Sequence, residues 1–342
     1  MKNILVTGGA GFIGSAFIRH MVKAYPDYHI ICYDKLTYAG NLDNLLAVSD
    51  DENYRCERGD IANRPAVRRV LKRYSIDTIV NFAAESHVDR SILEPDAFIH
   101  TDVVGVYILL DEARQHGIGR FCHVSTDEVY GDIETGVSAE DDRFLPNSPY
   151  AASKAGGELM VRAYHVTYGM DTVVTRGSNT YGPYQYPEKL VPFFITEAID
   201  GKPLPLYGDG KQIRDWLYVD DHARGVDKVL HLGKSGESYN LAGENQRFNL
   251  DVTRRILGLL DKPESLIRYV PDREGHDRRY AMTAEKARQL GWERRFDFDK
   301  GIEVTVGWYL ANEWWWRKIK TGGYLDFYRK QYAERLAAVD SR

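Results

Sequence analysis

"NILVTGGAGFIG", residues 3–14, decides how this chain is read. A short apolar run stops at glycines, and apolar residues at helical spacing follow from residue 13. Gly9, Gly11 and Gly14 fit Gly-x-Gly-x-x-Gly, and Gly8 adds a second frame with Gly11 and Gly14. Glycines in this place let the chain turn tightly and let main-chain N–H groups approach a pyrophosphate at a helix N-terminus. Twenty residues beyond Gly14, Asp34 closes the next apolar run, "HIICYD" (29–34), where a carboxylate accepts from ribose hydroxyls. The same charge repels a 2′-phosphate and favours NAD over NADP, while neighbouring Lys35 works against that preference. Asp60, at the end of "RGD", stands where the third strand would reach the adenine.

The alternation continues outward from this motif. Segments 3–8, 29–34, 54–60, 77–84, 120–126 and 171–177 read as strands, and 13–25, 64–74, 96–116 and 149–168 carry helical spacing. Strand–helix alternation implies an α/β fold, a Rossmann-type doubly wound parallel sheet with ligands at the carboxyl ends of its strands. From about residue 185 the rhythm changes, and Pro and Gly become frequent, as in "GKPLPLYGDGKQIRDW". The expected organisation is therefore an NAD-binding domain over 1–184. A smaller mixed α/β substrate domain follows over 185–342, with segments that can return to the first. The aromatic tail "WYLANEWWWRK" (308–318) reads as a packing helix or a subunit contact.

Composition narrows the function. The 342 residues are 43% hydrophobic and 28% charged, and the net charge of −5 is spread without a long run of one sign. This argues against nucleic acid or an anionic membrane surface as the main partner. No stretch of about 18 apolar residues occurs, and the N-terminus carries no apolar leader. Cys32, Cys56 and Cys122 form no CxxC, which implies a reducing compartment and no structural zinc; no cluster has metal-ligand spacing. A soluble cytoplasmic protein is expected.

Two further stretches carry chemistry. "HVSTDEVYGD" (123–132) ends a buried-looking strand in the adjacent carboxylates Asp127 and Glu128. Burying such a pair is costly unless one member keeps its proton, so it is either a solvated turn or a proton-transfer device. In "NSPYAASK" (147–154), Ser148 suits an N-cap and Pro149 the first helical position. Tyr150 and Lys154 then share a helix face. An ammonium and a cationic nicotinamide nearby would lower the tyrosine pKa from its ordinary value near 10.

With these residues in view, the chain resembles the extended short-chain dehydrogenases/reductases that act on nucleotide sugars, over nearly its whole length. Within them it is most similar to the 4,6-dehydratases, on "AAESHVDRSI" (83–92), "STDEVYG" (125–131), "PYAASKAG" (149–156), "RGSNTYGPYQYPEKLVP" (176–192) and "GDGKQIRDWLYVDDH" (208–222). The resemblance implies an NAD-dependent lyase that dehydrates dTDP-glucose to dTDP-4-keto-6-deoxyglucose for deoxysugar synthesis. By that likeness Tyr150, with Lys154, is the base for C4 oxidation, and Thr126 binds the C4 oxygen. Glu128 takes the C5 proton, Asp127 protonates the leaving C6 hydroxyl, and hydride returns to C6.

It also implies cofactor contacts from Phe12, Ile13, Lys35, Thr37, Ile61, Ala83, Ser125 and Asn179, besides the glycines, Asp34, Asp60, Tyr150 and Lys154. Substrate contacts map onto Ser86, His87, Thr126, Asn179, Lys189 and Leu190, and onto Pro205, Tyr207, Arg214, Asn249, Arg273 and His276. Arg214 and Arg273 suit a diphosphate, although Arg214 beside Asp215 also reads as an ion pair. A homodimer built on helices 96–116 and 149–168 is implied as well. Alternatives are a dehydratase of a UDP-, CDP- or GDP-sugar, a 4-epimerase, or a catalytically silent NAD-binding regulator.

Overall fold

Ile4, Leu5 and Val6 are all fully buried, so β1 (Asn3–Thr7) has no solvent face. A continuous apolar run of this kind belongs to a central parallel strand. β1 turns through the glycines into α1 (Phe12–Ala24), and β2 (His29–Asp34) returns beside it. Then come β3 (Tyr54–Arg58), α2 (Arg64–Arg73), β4 (Thr78–Asn81), α3 (Val88–Leu93) and α4 (Pro95–Phe98). A wide π-type segment, Ile99–Gly105, leads into α5 (Val106–Gln115). β5 (Arg120–Thr126), α6 (Pro149–Tyr168), β6 (Thr172–Gly177) and β7 (Asn179–Tyr181) follow.

The later part runs α7 (Leu190–Ile199), β8 (Leu204–Tyr207), β9 (Ile213–Tyr218), α8 (Val219–Leu232), β10 (Ser238–Leu241), β11 (Gln246–Phe248) and α9 (Asn249–Leu259). β12 (Ile267–Val270), α10 (Glu285–Gln289), α11 (Phe298–Ala311) and α12 (Glu313–Ile319) complete it. The computed structural model describes residues 1–273 and 275–321, with residues 324, 326, 332 and 336. The expected second domain reaches 342, so part of it lies outside the described residues.

Among the described residues, seven parallel strands pair in the order β10-β6-β5-β4-β1-β2-β3. The chain reverses direction across the sheet between β1 and β4, which opens a crevice beyond their carboxyl ends. Gly8 sits there with φ +67°, and a Cβ on it would lie 2.5 Å from Ala83 N. A Cβ on Gly14 would lie 2.3 Å from the Gly8 carbonyl oxygen. Only glycine permits this close turn.

Expected and observed elements agree closely at 120–126 and 149–168, and Ser148 caps α6 by accepting from Ala151 N at 3.1 Å. Two differences have physical reasons. The strands expected over 54–60 and 77–84 end at Arg58 and Asn81, because the residues beyond leave the sheet to line the crevice. The helix expected over 96–116 widens at Ile99–Gly105, which turns the Asp102 carboxylate inward to accept from Ser153 Oγ at 2.7 Å. Two segments of the second half return to the first: β10 extends the sheet beside β6, and Asp227 of α8 bonds His20 at 2.7 Å and Tyr25 at 2.9 Å on α1.

The aromatic tail packs inside. Trp315 and Trp316 lie buried with Phe193 and Tyr309 in a second core, while Trp314 is half exposed. Trp315 Nε1 donates to Asn44 Oδ1 at 3.0 Å and ties α12 to the first half.

One buried ion pair sets α6 against the sheet. Arg176 of β6 donates through Nε to Glu158 Oε1 of α6 at 3.0 Å, and through a terminal nitrogen to Tyr130 Oη at 2.5 Å. The same guanidinium thus holds both the helix of Tyr150 and the turn after β5. Removing one partner of a buried pair costs about 3–5 kcal/mol. Arg176→Met is expected to lose that much in a denaturant titration; a loss under about 1 kcal/mol would show that apolar packing alone sets α6.

Candidate active site

Every residue marked from the sequence as catalytic, cofactor-binding or substrate-binding, Gly9 of the glycine loop excepted, lines one cavity of 420 Å³ above the sheet. That size suits a small-molecule site. Thr126 ends β5, and its Oγ1 accepts from Glu128 N at 3.2 Å, which turns Asp127–Tyr130 into a single 3-10 turn. The turn buries Asp127 and points Glu128 into the cavity. Thr126 Oγ1 also donates to Asp127 Oδ1 at 3.1 Å, whereas Asp127 Oδ2 is buried without a partner.

The two carboxyls sit in unequal fields. Burial, then the charges of Glu128 and Asp215, hold Asp127 well above the usual carboxylate range. Burial also raises Glu128, but Arg273, Lys189 and Arg214 all pull it back toward the anion. The arrangement leaves Asp127 as the proton carrier and Glu128 as the acceptor.

Tyr150 and Lys154 face the cavity from the first turns of α6. Lys154 Nζ donates to the Val124 carbonyl oxygen at 2.9 Å. The downward shift expected for Tyr150 is not present in the protein by itself. Burial first, then Glu128 and Asp102, push the phenol well above 10, against a hydrogen bond with Thr126. Lys154 is itself lowered by burial, opposed by Asp102 and Glu158, and its ammonium is directed at a carbonyl rather than at the phenol.

The glycine side fits a dinucleotide. Phe12 and Ile13 begin α1 at the crevice, with Thr37, Ile61 and Ala83 along its wall. Asp34 accepts from Ala10 N at 3.0 Å and Leu36 N at 2.8 Å, which fixes its carboxylate and leaves a lone pair on each oxygen. Lys35 pairs with Asp60 at 2.8 Å, so its charge is not free to attract a 2′-phosphate. Ser125 Oγ and Asn179 Oδ1 are buried without partners where the two halves of the cavity meet.

The other end is cationic. Arg214 is buried over the Tyr280 ring at 4.3 Å and donates to the Asp277 carbonyl oxygen at 2.9 Å. It makes no ion pair with Asp215, which accepts from Asn245 N at 2.7 Å. Arg273 meets Asp89 at 2.7 Å, and Tyr207 donates to the same carboxylate at 3.1 Å, with Arg273 Nε and Asn249 Oδ1 left unpartnered. Lys189 donates to the Ser86 carbonyl oxygen, and Leu190 and Pro205 supply apolar wall. His276 bonds Asp272 at 2.5 Å, and burial, then Arg273 and Arg214, lower it to about 4. His87 is buried, which lowers it too. Both imidazoles are therefore neutral near pH 7.

Residues 5–305 match the family described as GDP-mannose 4,6 dehydratase. The dTDP-glucose 4,6-dehydratase of Salmonella typhimurium is 48% identical to the chain, over 97% of this chain and 99% of that relative. The chain belongs to the nucleotide-sugar 4,6-dehydratase family. DesIV, a dTDP-glucose 4,6-dehydratase of Streptomyces venezuelae solved with NAD bound, superposes with a TM-score of 0.90 at 49% identity, covering 93% of this chain and all of that one (100%). A UDP-glucose 4-epimerase of Thermotoga maritima shares the fold at a TM-score of 0.84 and 27% identity, covering 91% and 99%.

Sequence reasoning about this family member missed several residues in or next to the cavity. Tyr280 donates to Asp277 Oδ2 at 2.5 Å and lies 3.5 Å from Glu128 Oε2. It stands on an irregular segment that isolated bridges at Arg279 and Met282 bring to the site, so no periodicity marked it. Asp102 and Glu85 were also missed; burial raises them to about 6 and about 7, and Glu85 N donates to Asp102 Oδ1 at 3.0 Å.

Asp127 yields a stability prediction. Its pKa is raised by folding, so the folded protein binds more protons than the unfolded chain above the ordinary carboxylate pKa. Its contribution to stability therefore falls as pH rises through that window. Asp127→Asn is expected to be more stable than the parent at about pH 8, with the gain shrinking toward about pH 4. Equal gains at both pH values in denaturant titrations would contradict this.

Proposed function

We propose that this family member dehydrates dTDP-glucose to dTDP-4-keto-6-deoxyglucose with bound NAD, as a hydro-lyase. The observation that carries the reading is the unequal pair: a buried Asp127 whose carboxyl is held well above the usual carboxylate range, adjoining a Glu128 faced by three cations, both beside Tyr150. Bound NAD would supply a hydride acceptor for C4 and, once reduced, the hydride donor for C6, so no external reductant is consumed.

The chain's own residues do the rest. Tyr150 removes the proton of the C4 hydroxyl, and Thr126 holds that oxygen. The protein by itself holds the Tyr150 phenol well above 10, with Lys154 fixed by Val124; the positive charge of a bound nicotinamide would supply the field that lowers it. The 4-ketone acidifies C5–H, Glu128 accepts that proton, and Asp127 gives its own to the departing C6 hydroxyl. Arg214 and Arg273 face the diphosphate, and the Tyr207 ring, with Leu190 and Pro205, lies along the base.

We assign the dinucleotide to residues 1–184 with the returning segments, and the nucleoside diphosphate mainly to the later part. Three free thiols, two of them buried, suit a reducing cytoplasm. Among the described residues no helix is long and apolar enough to cross a membrane. Exposed Ile99, Tyr107, Leu159 and Val166 lie on the helices proposed for a homodimer. An epimerase has no use for an acid at C6, and the pair therefore disfavours it.

The test is a panel of dTDP-, UDP-, CDP- and GDP-sugars without added NAD, followed by mass and NMR. Loss of one water from dTDP-glucose, with C6 becoming methyl, is expected; unchanged mass with inverted C4 would overturn the reading. Glu128→Gln is expected to slow elimination by roughly 100- to 10,000-fold while still oxidising C4, visible as NADH absorbance. Leu159→Glu is expected to run as a monomer in light scattering, and an unaltered mass would place the dimer face elsewhere.

A further inference from the structure

Cys32 and Cys56 are paired residues of the neighbouring parallel strands β2 and β3, in register and with their side chains on the same face of the sheet. Cys32 is fully buried and Cys56 is exposed on β3, the edge strand of the sheet. Side chains alternate along a strand, so Cys32 shares its face with Asp34. A Cβ placed on Gly9 would lie 2.9 Å from Cys32 Sγ, which puts this sulfur directly beneath the glycine loop. Asp34 holds the next residue of that loop through Ala10 N at 3.0 Å.

We infer that Cys32 and Cys56 form a peroxide-sensitive dithiol whose oxidation loosens the grip of the glycine loop on the dinucleotide. The inference rests on the reading of that loop as the NAD site. A buried cysteine alone is only a small apolar side chain. Cys122 is that case: it lies buried in β5, and burial pushes its thiol up to about 12. Cys56 differs because it is exposed and stands in register beside the buried Cys32 thiol, an interaction that favours ionisation at Cys56 and disfavours it at Cys32. An exposed thiol of lowered pKa beside a resolving thiol oxidises first.

The chemistry balances with hydrogen peroxide as the oxidant. Cys56 sulfur attacks one peroxide oxygen; an S–O bond forms, the O–O bond breaks, and hydroxide leaves with the thiol proton as water. Cys32 sulfur then attacks the sulfenic sulfur; the S–S bond forms, the S–O bond breaks, and the Cys32 proton leaves with hydroxide as a second water. The two thiols lose two electrons and peroxide gains them. Paired strands lie about 4.8 Å apart, inside the span of about 4.4–6.8 Å that a disulfide bridges between Cα atoms. Forming the bond swings Cys32 Sγ toward β3 and away from Gly9.

Purified protein with NAD bound is treated with hydrogen peroxide, alkylated, digested and weighed, and release of labelled NAD is timed in parallel. The expected result is a linked Cys32–Cys56 peptide pair, Cys122 untouched, and NAD release faster by roughly tenfold, reversed by dithiothreitol. Cys56→Ser and Cys56→Ala are expected to release NAD at the parent rate and to ignore peroxide. Cys56 that alkylates no faster than Cys122 with no linked pair formed would overturn the inference. So would a linked pair that leaves NAD release unchanged. Neither readout involves a sugar, so failure here is distinct from failure of the dehydratase assignment, and protein purified without NAD would point to the latter.

Discussion

Two adjacent carboxyl groups cannot both be buried as anions, and the arrangement of this site follows from how that constraint is met. Asp127 is turned into the protein, where one oxygen takes the Thr126 hydroxyl and the other has no partner. Glu128 is turned toward Arg273, Lys189 and Arg214. One residue of chain separates an acid from a base, and the difference is made by surroundings rather than by residue type. The cations that make it come from the second half of the chain, while the carboxyls end a strand of the first. Neither half contains the site alone.

The rest of the fold serves that meeting. The reversal of strand order between β1 and β4 opens the crevice, and the contact of Gly8 with Ala83 brings backbone to its floor. Arg176 fixes α6 and the turn after β5 to the same strand, which sets Tyr150 against Asp127 and Glu128. The returning α8 and β10, with Trp315 on Asn44, bind the second half to the first.

Local spacing made much of this legible. The glycines, Asp34, the Asp127–Glu128 pair and the Tyr150–Lys154 face are all separations along one or two elements, and the expected positions share one cavity. What sequence could not carry was contact across long separations. Tyr280 reaches Glu128 from 152 residues away along the chain, and Asp89 meets Arg273 across 184. Asp102 depends on a widening of one helix that no pattern marked. The upward shift of Tyr150 in the protein by itself was not legible either, since it depends on burial and on Glu128 and Asp102, while Lys154 is anchored to a carbonyl of β5.

The central claim is that Asp127 holds a proton near neutral pH while Glu128 does not. Infrared difference spectroscopy of the carboxyl stretch, titrated through neutrality, measures this directly in the parent, Asp127→Asn and Glu128→Gln proteins. The account predicts a protonated-carboxyl band that Glu128→Gln retains and Asp127→Asn loses. A band that survives Asp127→Asn and vanishes in Glu128→Gln would reverse the two roles and contradict the account.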